Sequence, residues 1–283
     1  MNSATERLRS IAEEILATAQ ERVPVKAALL AGSAGRGDAD FYSDIDLLFY
    51  VDAVPSENVL TEIREAVGGT NPVRRDEPTE QHIGEEFTLA GIRTEISFTA
   101  VSRVESGLDQ LLVELDEVAS PLQKIASGIA EGLPLCGQDL IEGWRSRLLA
   151  YPEPLRRAAI QRYWNFFPLW YYADAMAARD TELWRIEMLV DASLNLLGVL
   201  AALNRLYYSR FELKRMHTLI SKMSIAPPHL ADRLESLFRL QPSAAAEELE
   251  VLVTETRALV AAELPDLELH LPFPPGARQR PWA

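Results

Sequence analysis

Residues 27–37 read AALLAGSAGRG, and residues 41–51 read FYSDIDLLFYV. The apolar run from Val25 to Ala31 predicts a buried strand that ends in a Gly-Ser turn. A loop rich in glycine and aspartate follows, and a second apolar run from Ile45 to Val51 predicts another buried strand. We therefore expect a strand-loop-strand unit with two carboxylates at the entrance of its second strand.

These two carboxylates, Asp44 and Asp46, are separated by one residue. Strand side chains alternate between faces, so both carboxylates point the same way, about 6–7 Å apart along the strand. Such a pair repels itself unless a cation lies between its members, and its oxygen ligands suit Mg²⁺ bound together with phosphates. The Gly32-Ser33 turn offers close backbone approach, amide groups and a hydroxyl for phosphate oxygens. The pattern predicts a joint metal and phosphate site.

Gly32-Ser33 followed by Ser43-Asp44-Ile45-Asp46-Leu47-Leu48 resembles the active-site signature of the DNA polymerase β-like nucleotidyltransferase superfamily. The spacing and the Gly35-Arg36-Gly37 loop look most like those of the minimal nucleotidyltransferases and of the antibiotic nucleotidyltransferases, which act on aminoglycosides or lincosamides. The resemblance covers about the first hundred residues.

Three other interpretations of this stretch are a surface strand with two solvated aspartates, a calcium loop and a P-loop. A calcium loop needs ligands at alternate positions, and Phe41 and Tyr42 interrupt the acidic residues Asp38 and Asp40. A P-loop needs Gly-Lys-Ser/Thr, which this loop does not contain. The nucleotidyltransferase interpretation is therefore favoured.

The resemblance implies that Asp44 and Asp46 hold one or two Mg²⁺ ions and that Gly32, Ser33 and Arg36 bind the triphosphate of a nucleotide. ATP is the expected nucleotide, and the motif itself says nothing about the base.

A third acid, Glu95, lies within a strand-like run, where a carboxylate is unfavourable unless it is solvated or paired with a cation. The superfamily has a third acid in the same setting. By that resemblance Glu95 is either a metal ligand or the base that takes the proton of an acceptor hydroxyl. The alternative is an edge-strand glutamate paired with Arg93 or Arg103, and Glu85 and Glu86 are lesser candidates for the third acid.

The fold class expected is α/β (α+β), with a mixed-sheet nucleotidyltransferase domain followed by an all-α helical bundle. We expect the catalytic domain at residues 1–102, a helical substrate-binding domain at 103–263 and a proline-rich tail at 264–283, the first boundary lying anywhere between 100 and 150. For the first domain, the pattern predicts a helix at 4–21, a helix from Pro55 to Val67, an edge strand at 71–75 and a hairpin of strands 82–89 and 92–99. For the rest of the chain, it predicts helices at 103–119, 121–131, 137–149, 153–178, 181–208, 211–223, 228–240 and 243–263. A break in the chain is predicted at 133–137, between the second and third of these helices.

Phosphoryl transfer needs cations besides the metal to hold the triphosphate. In related enzymes a basic residue of the helical domain reaches the triphosphate, so Lys214 is our first candidate for this role and Arg210 the second. Bases on a helix surface are also commonly just solvated. The candidates come from two basic clusters: Arg156, Arg157 and Arg162, and Arg205, Arg210, Lys214, Arg215 and Lys222.

An aromatic run from Tyr163 to Tyr172 is interpreted mainly as core. Trp184, with the acids Glu187 and Asp191 one helical turn apart, is a candidate to line an acceptor pocket that binds substrate amines. Arg210 and His217 have the spacing of the Arg…His ribonuclease motif of HEPN-type helical domains, which an arginine-rich helix readily produces by chance.

The charge of the chain is −14, and it is unevenly spread over the 283 residues. Residues 1–100 carry 9 Lys and Arg against 18 Asp and Glu, whereas residues 151–283 carry 15 against 16. An acidic catalytic half repels nucleic acid and favours a cationic acceptor, although solubility explains the charge equally well. A single cysteine, Cys136, excludes an internal disulfide and fits the cytoplasm, and no apolar stretch is judged long enough to span a membrane.

Together these observations predict a Mg²⁺-dependent nucleotidyltransferase that moves a nucleoside monophosphate from a triphosphate, ATP by expectation, to a hydroxyl and releases pyrophosphate. The expected acceptor is a small cationic compound of the aminoglycoside kind. The alternatives are a lincosamide acceptor, or a partner protein modified as by the minimal nucleotidyltransferases that neutralise toxins.

Overall fold

The computed structural model describes residues 2–74, 77–115, 118, 121–168 and 182–270. The chain forms two compact units: Met1–Glu114 with Ile125–Ala150, and Leu115–Lys124 with Tyr151–Ala283. The chain therefore changes unit three times, at residues 114, 124 and 150, within the region where the sequence leaves the boundary open.

The first unit contains a six-stranded sheet with the strand order β3-β4-β5-β2-β1-β6. Strands β2 and β5 are parallel, and every other neighbouring pair is antiparallel. The sheet is therefore mixed, and the predicted fold class is confirmed. The strands are β1 Ala27–Leu30, β2 Ile45–Val51, β3 Thr70–Val73, β4 His82–Leu89, β5 Ile92–Ala100 and β6 Leu133–Cys136.

Strand β6 corrects the prediction of a chain break at residues 133–137. Its residues pair antiparallel with β1, with Leu133 opposite Leu30 and Cys136 opposite Ala28. Pro134 is tolerated because β6 is an edge strand, where a missing N–H donor costs no ladder hydrogen bond. In sequence, a run of four residues that contains a proline is typical of a loop. These residues form a strand because they pair with the edge of β1, which lies about a hundred residues earlier in the chain.

One face of the sheet carries the hydrophobic core of this unit. Alternate residues of β2, namely Ile45, Leu47, Phe49 and Val51, are buried there. They pack with the apolar faces of helices Ser3–Gln20 and Glu57–Ala66. Because strand side chains alternate, this burial turns the intervening residues of β2, which begin with Asp46, to the opposite face.

A buried ion pair lies on the core face, between helix Glu57–Ala66 and β4. The Arg64 guanidinium contacts both carboxylate oxygens of Glu85, at 2.7 and 2.6 Å. The two side chains are only 11% and 8% exposed. Glu85 is thus a structural residue on the face away from Asp46, and its lesser candidacy as a catalytic acid is wrong.

Replacing Glu85 by Gln is expected to lower the free energy of unfolding by about 2 kcal/mol. The amide keeps one hydrogen bond to Arg64 but loses the charge opposite a buried guanidinium. Chemical denaturation measures the difference.

Glu65→Gln is the matched control, because Glu65 approaches the same Arg64 at 3.8 Å but is 69% exposed. Its removal should change the free energy of unfolding by less than about 0.5 kcal/mol. Equal losses in the two variants would contradict the stabilising role of the buried pair.

The opposite face of the sheet is covered at one end by helix Gln138–Leu149. Its Trp144 packs edge-on against Tyr50, with ring centroids 4.8 Å apart, and donates a hydrogen bond to Glu105. Burial raises the pKa of Tyr50 above its ordinary value. Tyr50 lies four residues along β2 from Asp46, on the same face of the sheet. Two further helices of this part of the chain are Val101–Asp109, which continues as a π-helical segment Gln110–Glu114, and Leu122–Glu131.

The second unit is helical in its described part, as predicted. Its helices differ in length from the predicted ones: Glu153–Tyr163, Glu182–Leu203, Met216–Ser221, Leu230–Ser236 and Pro242–Glu263, with a 3-10 segment Arg210–Arg215. Leu264 and Leu269, in the first part of the predicted tail, are buried in the helical core. The rest of the tail, from residue 271, lies outside the described residues.

The helix predicted at 153–178 ends at Tyr163. The chain then turns Trp164 and Phe166 into the core, with their rings in edge-on contact. Pro168 also disfavours helical backbone at the residue before it. The remainder of the predicted helix, with Trp170, Tyr171 and Tyr172, lies outside the described residues.

The helix predicted at 181–208 begins at Glu182 in the described part of the chain and ends at Leu203. Arg205 adopts a positive φ of 56°. The Arg205 N–H bonds Ala202, and the Leu206 N–H bonds Ala201, which is the Schellman pattern that closes a helix. Local sequence does not predict this helix end, because arginine stands where glycine is usual.

Among the described residues, one helix is long and apolar enough to cross a membrane, namely Glu182–Leu203. The sequence analysis expected no stretch of that length, and this expectation is corrected. Much of its apolar surface is buried among Leu196, Leu197, Leu200 and other residues of the helical core. Core packing therefore accounts for its composition.

Candidate active site

The predicted acids meet on one face of the first unit's sheet. Asp46 on β2 stands opposite Glu95 on the parallel strand β5, and Glu95 stands opposite Glu86 on β4. Asp44 lies immediately before β2, two residues from Asp46. Residues paired across strands share a face, so the register places these four carboxylates together. Asp44, Asp46 and Glu95 are thus neighbours, and Glu86 joins them.

The Gly-Ser turn is the start of a short helix, Gly32–Arg36, that follows β1. The Ala31 N–H donates to the Asp46 carbonyl at 2.9 Å, which fixes the start of this helix beside β2. Gly32 has a φ of +63°, and a Cβ built on it would lie 2.8 Å from the Asp46 Oδ2. Only glycine fits both this backbone and this contact.

Hydrogen bonds connect Ser33 to the loop that leads to the aspartates. The Ser33 hydroxyl lies 2.9 Å from the Ser43 hydroxyl. Ser43 in turn accepts the Asp40 N–H at 2.9 Å, and Asp40 accepts the Tyr42 N–H at 2.9 Å. The loop is thereby held in a tight turn that leaves Phe41 and Tyr42 exposed, at 92% and 98%. In the sequence analysis these two aromatic residues served only to argue against a calcium loop, because they follow the acidic residues at positions where further ligands would be needed.

Arg93 lies among the acids, and the sequence analysis considered it as an alternative partner for Glu95. Its guanidinium contacts Asp44 at 2.5 Å, Glu86 at 2.7 Å and Glu95 at 3.7 Å. The hydrogen bond that Arg93 donates to the Glu86 carboxylate raises the pKa of Arg93, and the charges of Glu86 and Asp44 raise it further. The predicted pairing of Glu95 with Arg93 thus exists, while Glu95 also lies among the proposed catalytic acids.

Arg36 ends the short helix, and its guanidinium lies 3.5 Å from Asp38 and 4.0 Å from Glu131. Its charge is engaged by two carboxylates of the same unit. Binding of phosphate by Arg36 stays a prediction.

The remaining candidates belong to the second unit. Lys214 and Arg210 are exposed on the 3-10 segment, and Glu187 and Asp191 are exposed on helix Glu182–Leu203. Trp184 on that helix packs edge-on with Phe167 at the margin of the helical core. The roles of these five residues stay predictions.

The other residue of the HEPN-like spacing, His217, lies 3.0 Å from Glu235. That neighbour gives the imidazole a structural partner within the helical unit.

Across the described residues, no group of three or more His, Cys, Asp and Glu side chains is arranged to hold a metal ion. On the sheet face that carries Asp46, three carboxylates instead contact the Arg93 guanidinium, namely those of Asp44, Glu86 and Glu95. The oxygen-only donor set on one face is nevertheless the chemistry that suits Mg²⁺.

The first unit thus brings together the features on which the sequence resembles the polymerase β-like nucleotidyltransferases: a short glycine-led helix, an Asp-x-Asp strand beside it and a third acid on the parallel neighbour. Residues 12–103 match the model of a family described as the nucleotidyltransferase domain. This part of the chain is a nucleotidyltransferase domain, and the resemblance to the polymerase β-like superfamily is confirmed for it. The match ends at residue 103, so the helical unit, which begins at Leu115, lies outside it.

One similar solved structure is that of a nucleotidyltransferase-like protein from Exiguobacterium sibiricum 255-15. It is 10% identical, with a TM-score of 0.38, and the alignment covers 87% of this chain and 71% of that one. No curated protein matches the chain.

Proposed function

We propose that the protein transfers a nucleoside monophosphate from a nucleoside triphosphate, ATP in the first instance, to a hydroxyl of a small molecule. The observation that carries this proposal is the closeness of Gly32 to the Asp46 carboxylate, whose Oδ2 would lie 2.8 Å from a Cβ at that glycine, on the face that also holds Asp44 and Glu95. A phosphate-binding turn and an acid cluster are thereby adjacent, which is what phosphoryl transfer to a hydroxyl requires.

The residues that would hold Mg²⁺ are Asp44 and Asp46, with Glu95 as either a third ligand or the base. Two features support the fit: the donors are carboxylates only, and Gly32 leaves room beside Asp46 that a side chain would fill. When bound, the ion would offset the charge of the triphosphate and of the transition state.

The chain's own residues position the reactants. Ser33 and the N–H groups at the start of its helix would hold phosphate oxygens, and Arg36, Lys214 and Arg210 are the further cations proposed for the triphosphate. The acceptor oxygen attacks the α-phosphorus, and the bond from that phosphorus to the bridging oxygen breaks. Pyrophosphate leaves, and Glu95, in its role as base, takes the hydroxyl proton on its carboxylate.

The acceptor proposed is a small cationic compound with hydroxyl groups, of the aminoglycoside kind. Four carboxylates against Arg93 give the catalytic face a net negative charge, which attracts a polyamine and repels an anion. Trp184, Glu187 and Asp191 are proposed to contact this acceptor. Because the attraction is electrostatic, its apparent affinity should weaken as salt is raised.

Incubation with α-labelled ATP, GTP, CTP and UTP and Mg²⁺ tests the proposal. Separate reactions contain kanamycin-, neomycin- and streptomycin-type compounds, a lincosamide, or a cell lysate, and we expect label on a cationic small molecule. Label on a protein in the lysate would instead support modification of a partner protein. Label confined to a neutral or anionic compound would contradict the charge argument. Absence of any transfer would contradict the proposed activity.

A further inference from the structure

Arg93 occupies the centre of the acid cluster on the catalytic face. It lies on β5 two residues before Glu95, so both side chains share that face. One nitrogen of its guanidinium contacts Asp44 Oδ2 at 2.5 Å, and the other contacts Glu86 Oε2 at 2.7 Å. The same second nitrogen lies 3.7 Å from Glu95 Oε2. One side chain therefore bridges acids that come from three strands or their ends.

Two of these three acids are the ones proposed above to serve a metal ion. Magnesium binds its oxygen ligands in a near-octahedral shell at about 2.1 Å. A guanidinium hydrogen-bonded to Asp44 Oδ2 occupies part of that carboxylate's acceptor capacity and carries a charge that repels the ion. The cation and the metal therefore compete for Asp44.

Glu86 gives Arg93 a second partner that the metal does not need. Its side chain is 14% exposed, compared with 30% for Asp44. An ion pair that is shielded from water is screened less, so the Glu86 contact can persist when the Asp44 contact is lost. The planar guanidinium fork, which reaches two carboxylates at once, makes such an exchange possible.

We propose that Arg93 is a positioning residue that serves as the built-in counter-ion of the catalytic carboxylates, and that metal binding requires its guanidinium to leave Asp44 while it remains on Glu86. The inference rests on the proposed function, because it takes Asp44 and Asp46 as the metal ligands. In the absence of metal, Arg93 limits repulsion among four carboxylates. In the presence of metal, it sets the concentration at which the ion enters.

The test is the melting temperature of the full chain titrated with Mg²⁺ and without nucleotide, for the wild type, Arg93→Gln, Arg93→Lys, Arg103→Gln and Asp46→Asn. Arg93→Gln is expected to melt lower than the wild type without metal and to reach half-saturation at about fivefold lower Mg²⁺, since a partly exposed ion pair no longer competes. Arg93→Lys keeps the charge but not the fork, so its half-saturation should lie between the two. Arg103, an exposed arginine at the start of the next helix, is the matched control for loss of one positive charge.

A purely structural role of Arg93 would lower the melting temperature equally with and without metal, and that result would overturn the inference. An unchanged or higher half-saturation in Arg93→Gln, or an equal fall in Arg103→Gln, would overturn it as well. If Arg93→Gln does not fold, a half-saturation of Arg93→Lys at or above the wild-type value overturns it. A wild type whose melting temperature shows no Asp46-dependent response to Mg²⁺ would instead remove the metal site of the proposed function, and the inference with it.

Discussion

Replacing Asp46 by Asn is expected to reduce nucleotidyl transfer about a thousandfold while the protein stays folded. Asparagine keeps the shape of the side chain, and the backbone carbonyl still accepts the Ala31 N–H. What is lost is the negative charge that would bind the metal beside Gly32. A metal supplies several kcal/mol of charge stabilisation in such reactions, and about 4 kcal/mol corresponds to about a thousandfold.

The measurement is the initial rate of pyrophosphate release with the acceptor identified by labelling, together with the melting temperature of each variant. Asp52→Asn is the matched control, because Asp52 directly follows the same strand and pairs with Lys26 at 2.9 Å, with its side chain 72% exposed. The control should keep near-normal activity. If Asp46→Asn also kept near-normal activity, the assignment of the site would be wrong.

The elements of the site that are close in sequence could be predicted from the sequence. The apolar run before Gly32, the turn and the Asp-x-Asp strand lie within about 25 residues, and each has a strong local preference. Alternation along a strand then places Asp44 and Asp46 on one face without further information. The hairpin carrying Glu95 was predictable for the same reason, because Ala90-Gly91 joins two alternating runs.

The side chains that depend on strand register could not be predicted in the same way. Glu85 and Glu86 must lie on opposite faces of β4, but the sequence does not say which of them faces the core. The pairing of Glu86 with Glu95 and the buried partner Arg64 of Glu85 settle this, and both come from distant elements. The bridging position of Arg93 depends on three strands at once.

The ends of elements in the helical unit were also beyond sequence reasoning. Helix Glu182–Leu203 closes at an arginine with positive φ, supported by the Asn204 side chain, which donates to the Leu200 and Ile225 carbonyls. The second of these contacts is tertiary. Local propensity therefore extended the helix five residues too far.

Replacing Gly32 by Ala is expected to reduce transfer about a hundredfold and to lower the free energy of unfolding by about 1 kcal/mol. The stability loss comes from the positive φ of 63°, which alanine adopts with strain. The activity loss has another cause: the new methyl group would lie 2.8 Å from the Asp46 Oδ2, closer than such atoms approach. The carboxylate or the short helix must then move, and displacement of a catalytic group by about 1 Å costs about a hundredfold in rate.

Gly91→Ala separates these two causes. Gly91 has a φ of +80°, and a Cβ built on it meets nothing within 4 Å. The control should therefore lose about the same stability as Gly32→Ala but keep its transfer rate. Chemical denaturation and the pyrophosphate assay, run on both variants, give the two quantities. Equal activity in the two variants would show that the contact of Gly32 with Asp46 does not shape the site, because backbone strain alone would then account for every change.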